Sequence, residues 1–167
     1  MKIIIISDTH MPKKAKKLPE ALLQSLIDTD YIIHLGDWQD ESLFEELERF
    51  APIEGVAGNV DSDSIIRRFG YSKIVTFFQY RIGLVHGHLG KGRTTEARAI
   101  DTFKEEHVHA IFFGHSHIPL FKTMNNTVLF NPGSPTDKRR QPNFSFGTMQ
   151  LTEHEFRLEH VFFDSKV

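Results

Sequence analysis

An α/β fold, with two packed mixed β-sheets and helices outside, is the architecture these residues point to. Short apolar runs alternate with helix-spaced segments as far as Asn59. Beyond Asn59 the pattern becomes paired antiparallel strands with one helical interruption. Metal-type polar residues recur where the apolar runs end, which is where open α/β sheets present ligands.

Residues 2–7 form a continuous Ile-rich run, too short for a helix and suited to a strand buried on both faces. Residues 18–27 carry Leu18, Leu22, Leu23 and Leu26 at helical spacing, with Pro19 tolerated in the first turn. Residues 31–35 read as a second buried strand. Residues 42–50 place Leu43, Phe44, Leu47 and Phe50 on one helical face, and residues 53–56 form a third short strand. Right-handed crossovers and a parallel sheet follow from this alternation. Residues 74–78 and 81–85 read as a hairpin, followed by a helix over 94–106 with Ala97, Ile100 and Phe103 inward. A strand is expected at 110–113, then a hairpin of 120–124 and 127–131 turning at Asn125-Asn126. Strands at 144–151 and 155–163 close the chain. The 15 Phe residues are most simply the filling of a large core.

The 167 residues fit one domain spanning 1–167, with no repeat or linker to divide them. Lys+Arg is 20 and Asp+Glu is 22, a net charge of −2 that argues against a dedicated nucleic-acid track. No apolar run approaches the ~20 residues of a membrane span. Asp8 interrupts the first apolar run before a signal-peptide core can form, so a cytoplasmic location is expected. With no Cys, thiolate metal sites and a Cys nucleophile are excluded, while 10 His hint at metal or acid–base chemistry.

Five apolar strands run into polar turns: Asp8-Thr9-His10, Gly36-Asp37, Gly58-Asn59-Val60-Asp61, His86-Gly87-His88 and Gly114-His115-Ser116-His117. Any one turn is an ordinary capping sequence, but five in this placement would converge on one crevice. Together they offer Asp8, His10, Asp37, Asn59, His86, His115 and His117. Carboxylate, amide and imidazole donors without thiolate suit two divalent ions, with Mn²⁺ placed first and Fe²⁺, Zn²⁺, Co²⁺ or Ni²⁺ compatible. Seven ligands exceed one tetrahedral ion and fit two metals ~3.5–4 Å apart sharing a carboxylate.

These motifs resemble those of the calcineurin-like metallophosphoesterase superfamily, and Asn131-Pro132-Gly133-Ser134 extends the likeness toward the C-terminus. The brevity of the chain resembles the small single-domain bacterial and archaeal phosphodiesterase branch. The resemblance implies a four-layer α-β-β-α sandwich. It also implies that Asp8, His10 and His117 hold one metal and Asn59, His86 and His115 the other. Asp37 would bridge them, and a metal-bridging hydroxide would attack phosphorus. The catalytic set so implied is Asp37 and Asn59, joined by His88 as a candidate leaving-group or phosphate contact. His88 serves equally well as a supporting residue behind the ligands.

The sequence departs from the superfamily at Val60, where many members carry a His that assists the leaving oxygen. Valine cannot donate a proton, which counts against monoesters with poor leaving groups. The expected function is therefore hydrolysis of small or nucleotide-like phosphodiesters. A phosphomonoesterase or nuclease on the same metal pair is the alternative enzyme. A non-catalytic protein-binding scaffold, as in the retromer subunit that resembles this fold, is the alternative of another class. All seven ligand-type residues are present, which favours the enzyme.

Asn59, His88 and Arg93 are the candidate substrate contacts, with Lys91, Lys138, Arg139 and Arg140 as further cations near the turns. Lys13, Lys14, Lys16 and Lys17 read first as a solvated face. Asp61 either orients a ligand or caps its turn. His34, His107, His109, His154 and His160 fall outside the turns and are expected at core edges or on the surface. The Phe-rich C-terminal strands leave a homo-oligomer open.

Overall fold

The computed structural model describes residues 1–166. The first half comprises β1 (Lys2–Ile6), α1 (Glu20–Leu26), β2 (Tyr31–His34), α2 (Glu41–Leu47), β3 (Ile53–Gly55) and α3 (Asp63–Phe69). There follow β4 (Ser72–Phe77), β5 (Tyr80–Val85), α4 (Thr95–Thr102), β6 (Ala110–Phe113), β7 (Leu120–Met124) and β8 (Thr127–Asn131). The chain closes with β9 (Phe144–Leu151) and β10 (Phe156–Phe163). Two five-stranded sheets result, ordered β10-β9-β1-β2-β3 and β4-β5-β6-β8-β7. Both are mixed: β1, β2 and β3 run parallel in one, β5, β6 and β8 in the other, and the remaining strands pair antiparallel.

Strand alternation makes the layers. Ile3 and Ile5 face the second sheet, packing in one cluster with Ile33, Leu84, Phe112 and Phe130. Ile4 and Ile6 face the other way, against Leu22 and Leu26 of α1, Leu43 and Leu47 of α2, and Ile65 and Phe69 of α3. Successive side chains of a strand point to opposite faces, so a strand covered on both sides must be apolar throughout. On the far side of the second sheet, Val85, Ile111 and Phe113 pack on Ala99 of α4 and on Phe103. The order is helices, sheet, sheet, helix.

Three local expectations are corrected. α3 was not anticipated: Ser62 caps it by accepting from the Ile65 amide, and Gly70 at φ 69° ends it. Its Ile65 and Phe69 lie four residues apart, a single buried stripe too brief to stand out as a period. α2 stops at Leu47, which leaves Phe50 exposed instead of on the helix face. α4 ends at Thr102 with Ala99 as its buried residue, while Ala97 and Ile100 are only half-buried. Among the described residues no helix is long and apolar enough to cross a membrane.

Register brings the polar turns to one end. Ile6 pairs with His34 and His34 with Gly55, so β1, β2 and β3 finish side by side. Val85 pairs with Phe113, which does the same for β5 and β6.

Phe112 is fully buried between the sheets, whereas Phe162 is 56% exposed. Phe112→Ala should therefore cost ~3–5 kcal/mol in urea unfolding. Phe162→Ala should cost about 1 kcal/mol or less. Equal losses would contradict the inter-sheet core described here.

Candidate metal centre

Five strand ends, three from one sheet and two from the other, deliver the site. Adjacent turns are stitched by backbone bonds: Asp8 N to Gly36 O at 3.0 Å, His10 N to Asp37 O at 2.9 Å, and Gly114 N to His86 O at 3.0 Å. Asp8, His10, Asp37, His115 and His117 all adopt positive φ, between 46° and 67°. Non-glycine residues rarely hold that conformation, and clusters of them mark sites where geometry overrides backbone preference. The glycines serve close approach. A Cβ on Gly58 would stand 2.1 Å from Asp37 Oδ1, and one on Gly36 would stand 2.7 Å from His86 Nδ1.

The side chains form two groups, Asp8 with His10 and His117, and Asp37 with His86 and His115. Within each group the donor atoms lie within 4.8 Å of one another. In the first, His10 Nε2 is 3.3 Å from His117 Nε2, which is 3.4 Å from Asp8 Oδ1. In the second, His86 Nε2 is 3.3 Å from both His115 Nδ1 and Asp37 Oδ2. Asp37 Oδ2 is also 3.5 Å from His10 Nε2, so this one oxygen faces a nitrogen of each group. Asn59 lies on the rim, exposed, between Gly58 and Val60, whose amide donates to Asp37 Oδ1 at 3.2 Å. The Asn59 amide makes no hydrogen bond to a described residue. His88 is half-buried, its ring 5.3 Å from that of His86 and 6.3 Å from that of His115.

Hydrogen bonds behind the donors fix which atoms face inward. His86 Nδ1 donates to Leu35 O at 2.7 Å and His117 Nδ1 to Asp137 O at 2.5 Å, which turns each Nε2 to the centre. Asp8 Oδ2 accepts from Ser7 Oγ at 2.7 Å and from the His115 amide at 2.9 Å. Asp8 Oδ1 is buried with no hydrogen-bond donor. His34 is fully buried, not at a core edge: it stacks on Trp38 at 3.7 Å, and its Nδ1 accepts from Gly36 N. Its Nε2 therefore carries the proton and donates to Thr9 Oγ1 at 2.9 Å.

Asp61 is a positioning residue. It accepts from the backbone amides of Asp37, Gln39 and Gly58 at 2.9, 2.7 and 2.7 Å, tying the second and third turns together. Ser134, Thr136 and Asp137 are supports that the turns did not reveal; Ser134 Oγ and Thr136 Oγ1 donate to Asp8 O and Thr9 O at 2.8 and 2.6 Å. Only the Asn131-Pro132-Gly133-Ser134 turn pointed toward them. The Lys13, Lys14, Lys16 and Lys17 run is exposed, with Lys14 paired to Asp137 at 3.5 Å.

Burial sets the electrostatics and the carboxylates modulate it. Burial pushes Asp37 up, but the His86 hydrogen bond, the charges of His86 and His10 and the Val60 amide together hold it well below the usual carboxylate range. Burial pushes His86 down, and Asp37, Asp8 and the Leu35 carbonyl outweigh it, so its pKa is raised. Burial lowers His10 against the opposing pull of Asp37 and Asp8. Burial and then His86 lower His115. Burial, His86 and His115 bring His88 down to about 4. Burial lifts Asp61 despite its three amide donors.

The donor set fits divalent cations. Atoms ~2.1 Å from one cation stand roughly 3–3.5 Å apart, the spacing of His10–His117 and His117–Asp8 in the first group and of His86–His115 and His86–Asp37 in the second. Asp8 Oδ1 is a buried acceptor with a lone pair to spend.

The chain matches the calcineurin-like phosphoesterase superfamily domain over residues 1–154. It belongs to that superfamily. A Methanothermobacter thermautotrophicus relative named "Probable metallophosphoesterase" is 36% identical over 144 residues, covering 83% of this chain and 80% of the relative. A solved archaeal phosphodiesterase shares the fold at TM-score 0.71 and 22% identity, covering 96% of this chain and all 100% of that one. Vps29 of Chaetomium thermophilum shares it at TM-score 0.81 and 19% identity, covering 98% of each. The two-sheet architecture is thus the superfamily's, and the superfamily binds divalent metals and suggests hydrolase activity.

Metal uptake near neutral pH should release a proton, chiefly from His86, whose raised pKa leaves it partly protonated without metal. Affinity should weaken first as pH falls through that raised value, then further as His10 and His115 protonate. Calorimetry in buffers of different ionisation enthalpy counts the protons; a buffer-independent heat would contradict this charge state. Asp61→Ala should weaken metal binding ~10–100-fold without touching a donor. Unchanged affinity would show that the turns hold their places without it.

Proposed function

We propose that this chain is a divalent-metal-dependent phosphodiesterase acting on small, nucleotide-like diesters. The observation that carries the proposal is the pair of donor groups with Asp37 Oδ2 facing both. Asp8, His10 and His117 would hold one cation, and His86, His115 and Asn59 the other, with Asp37 shared. Two bound cations, Mn²⁺ the first candidate, would lower the pKa of water into the neutral range and offset charge on a phosphoryl group.

The chain's own groups then divide the work. His10, His86, His115 and His117 would present ring nitrogens to the cations. Asp8 and Asp37 supply negative charge where cations are needed. His88, with its pKa near 4, is a neutral imidazole at physiological pH. It can donate one hydrogen bond to a phosphate oxygen but is not a stored acid. Val60 is 44% exposed and offers only its amide, already given to Asp37. With no side-chain acid at either place, cleavage favours esters whose leaving oxygen needs little protonation. A diester also brings one negative charge where a monoester brings two. The archaeal phosphodiesterase of the same fold is in keeping with this reading.

The scaffold reading draws on the Vps29 likeness, which is one of fold. Six donor side chains in two groups, with a nitrogen of each His aimed inward, favour the enzyme. A cytoplasmic setting and a small-molecule substrate are kept as parts of the proposal.

Metal-stripped protein should cleave bis(p-nitrophenyl) phosphate only after Mn²⁺ is added, and should prefer it to p-nitrophenyl phosphate. His86→Ala should lower kcat/KM by more than ~100-fold. A monoester preference would remove the argument from Val60, and inactivity with every divalent metal would favour the scaffold.

A further inference from the structure

A cavity of about 350 Å³ is lined by Arg93, Thr95, Phe113, Ser116, Ile118 and Leu120, none of them a metal-type donor. Its position is set by sequence neighbours of the ligands. Ser116 stands between His115 and His117, and Ile118 follows directly. The opposite wall is joined to the His86–His88 turn by Arg98, whose Nε donates to Gly87 O at 2.8 Å. Both walls are therefore joined to ligand turns. The size falls at the small end of ligand cavities, which run ~300–1,000 Å³.

We propose that this cavity receives the single nucleoside group of the diester, so that Ile118 and Arg93 set which diesters are cleaved. The inference rests on the phosphodiesterase reading above. The lining names the chemistry. Phe113 and Leu120 supply apolar lining, and Ile118, 50% exposed, offers a large apolar surface that solvent reaches. Among the described residues the Arg93 guanidinium has no hydrogen-bond or ion-pair partner. An apolar lining with a free guanidinium holds a planar, polar-edged ring by stacking and hydrogen bonding. A simple alkyl group would leave Arg93 unused. A second phosphate fits less well, because the Glu96 carboxylate shares the wall, paired to Lys122, and the Arg98 guanidinium is engaged with Gly87 O, Gly92 O and Thr95 Oγ1.

The test compares p-nitrophenyl thymidine 5′-phosphate with methyl p-nitrophenyl phosphate on the Mn²⁺-loaded full chain. Both release the same leaving group, so the ratio of kcat/KM values reads the other substituent. The thymidine ester should be favoured by about tenfold or more, and Ile118→Trp, which fills the cavity, should abolish the preference. Arg93→Ala should reduce it about threefold or more. An unchanged ratio in Ile118→Trp, with both esters cleaved, overturns the inference and leaves the diesterase reading standing. If neither ester is cleaved, that reading fails separately, and calorimetry on Zn²⁺-loaded protein decides the cavity. Thymidine 5′-monophosphate should then bind about tenfold tighter than methyl phosphate, with the difference lost in Ile118→Trp. Equal affinities would overturn the inference. So would a tetrathymidylate that binds about tenfold tighter than the mononucleotide, since one nucleoside would no longer account for the affinity.

Discussion

Two buried carboxylates govern this molecule. Asp8 and Asp37 are 0% and 2% exposed, and among the described residues no Lys or Arg stands within ion-pair distance of either. Buried charge of this kind is tolerated only when paired or metal-bound. Their partners are imidazoles: His117 and His86 near Asp8, His86 and His10 near Asp37. Imidazole balances a carboxylate only by keeping a proton, and the pKa of His86 is raised. A divalent cation resolves the imbalance without that proton. Cation demand is therefore a property of the fold as much as of its chemistry.

Meeting that demand needs both sheets at once. Asp8 comes from the end of β1 and His117 from beyond β6, and the inter-sheet layer of Ile3, Ile5, Phe112 and Phe130 fixes their separation. Left-handed backbone at five of the donors costs of order 1–3 kcal/mol each when unsupported. The cost is offset by the amides and carbonyls that lock the turns: Asp61 on three amides, Ser134 on Asp8 O, Asp137 O under His117. Trp38 adds a packed anchor directly beside Asp37, stacked between His34 and Phe69 and donating Nε1 to Val56 O at 2.9 Å. The polar turns are thus rigid because an apolar layer lies immediately beneath them.

Most of this was legible in residue order. Strands such as Lys2–Ile6 and Ala110–Phe113 declare themselves because burial on both faces leaves no room for polar residues. The donors declare themselves because charged groups at the ends of such strands have no role in the core. Helix limits were less visible: α3 buries only Ile65 and Phe69, and α4 ends before Phe103 although Phe103 packs inward from beyond it. The second-layer residues were least visible. Asp61 as turn cap and Asp61 as tie between turns have one sequence and differ only in where Asp37 and Gln39 come to lie. His34 looked peripheral because its partners, Thr9 and Trp38, are assembled by register rather than by neighbouring positions.

Val60 shows how the site separates holding metal from moving protons. Its amide donates to Asp37 Oδ1, a contact that any residue could make. Its side chain faces solvent and adds neither charge nor donor. The same division appears at His88, where burial and two neighbouring imidazoles hold the ring neutral. Bound cations beside it would hold it neutral more firmly still, since positive charge opposes protonation. Proton donation to a leaving group must then come from solvent or from the substrate itself. On the proposed phosphodiesterase reading, such a site would select through its substrates' leaving oxygens and through the cavity beside Ser116, not through a resident acid. Metal ligation can stay fixed in this architecture while specificity shifts along the rim, because the two depend on different atoms of the same turns.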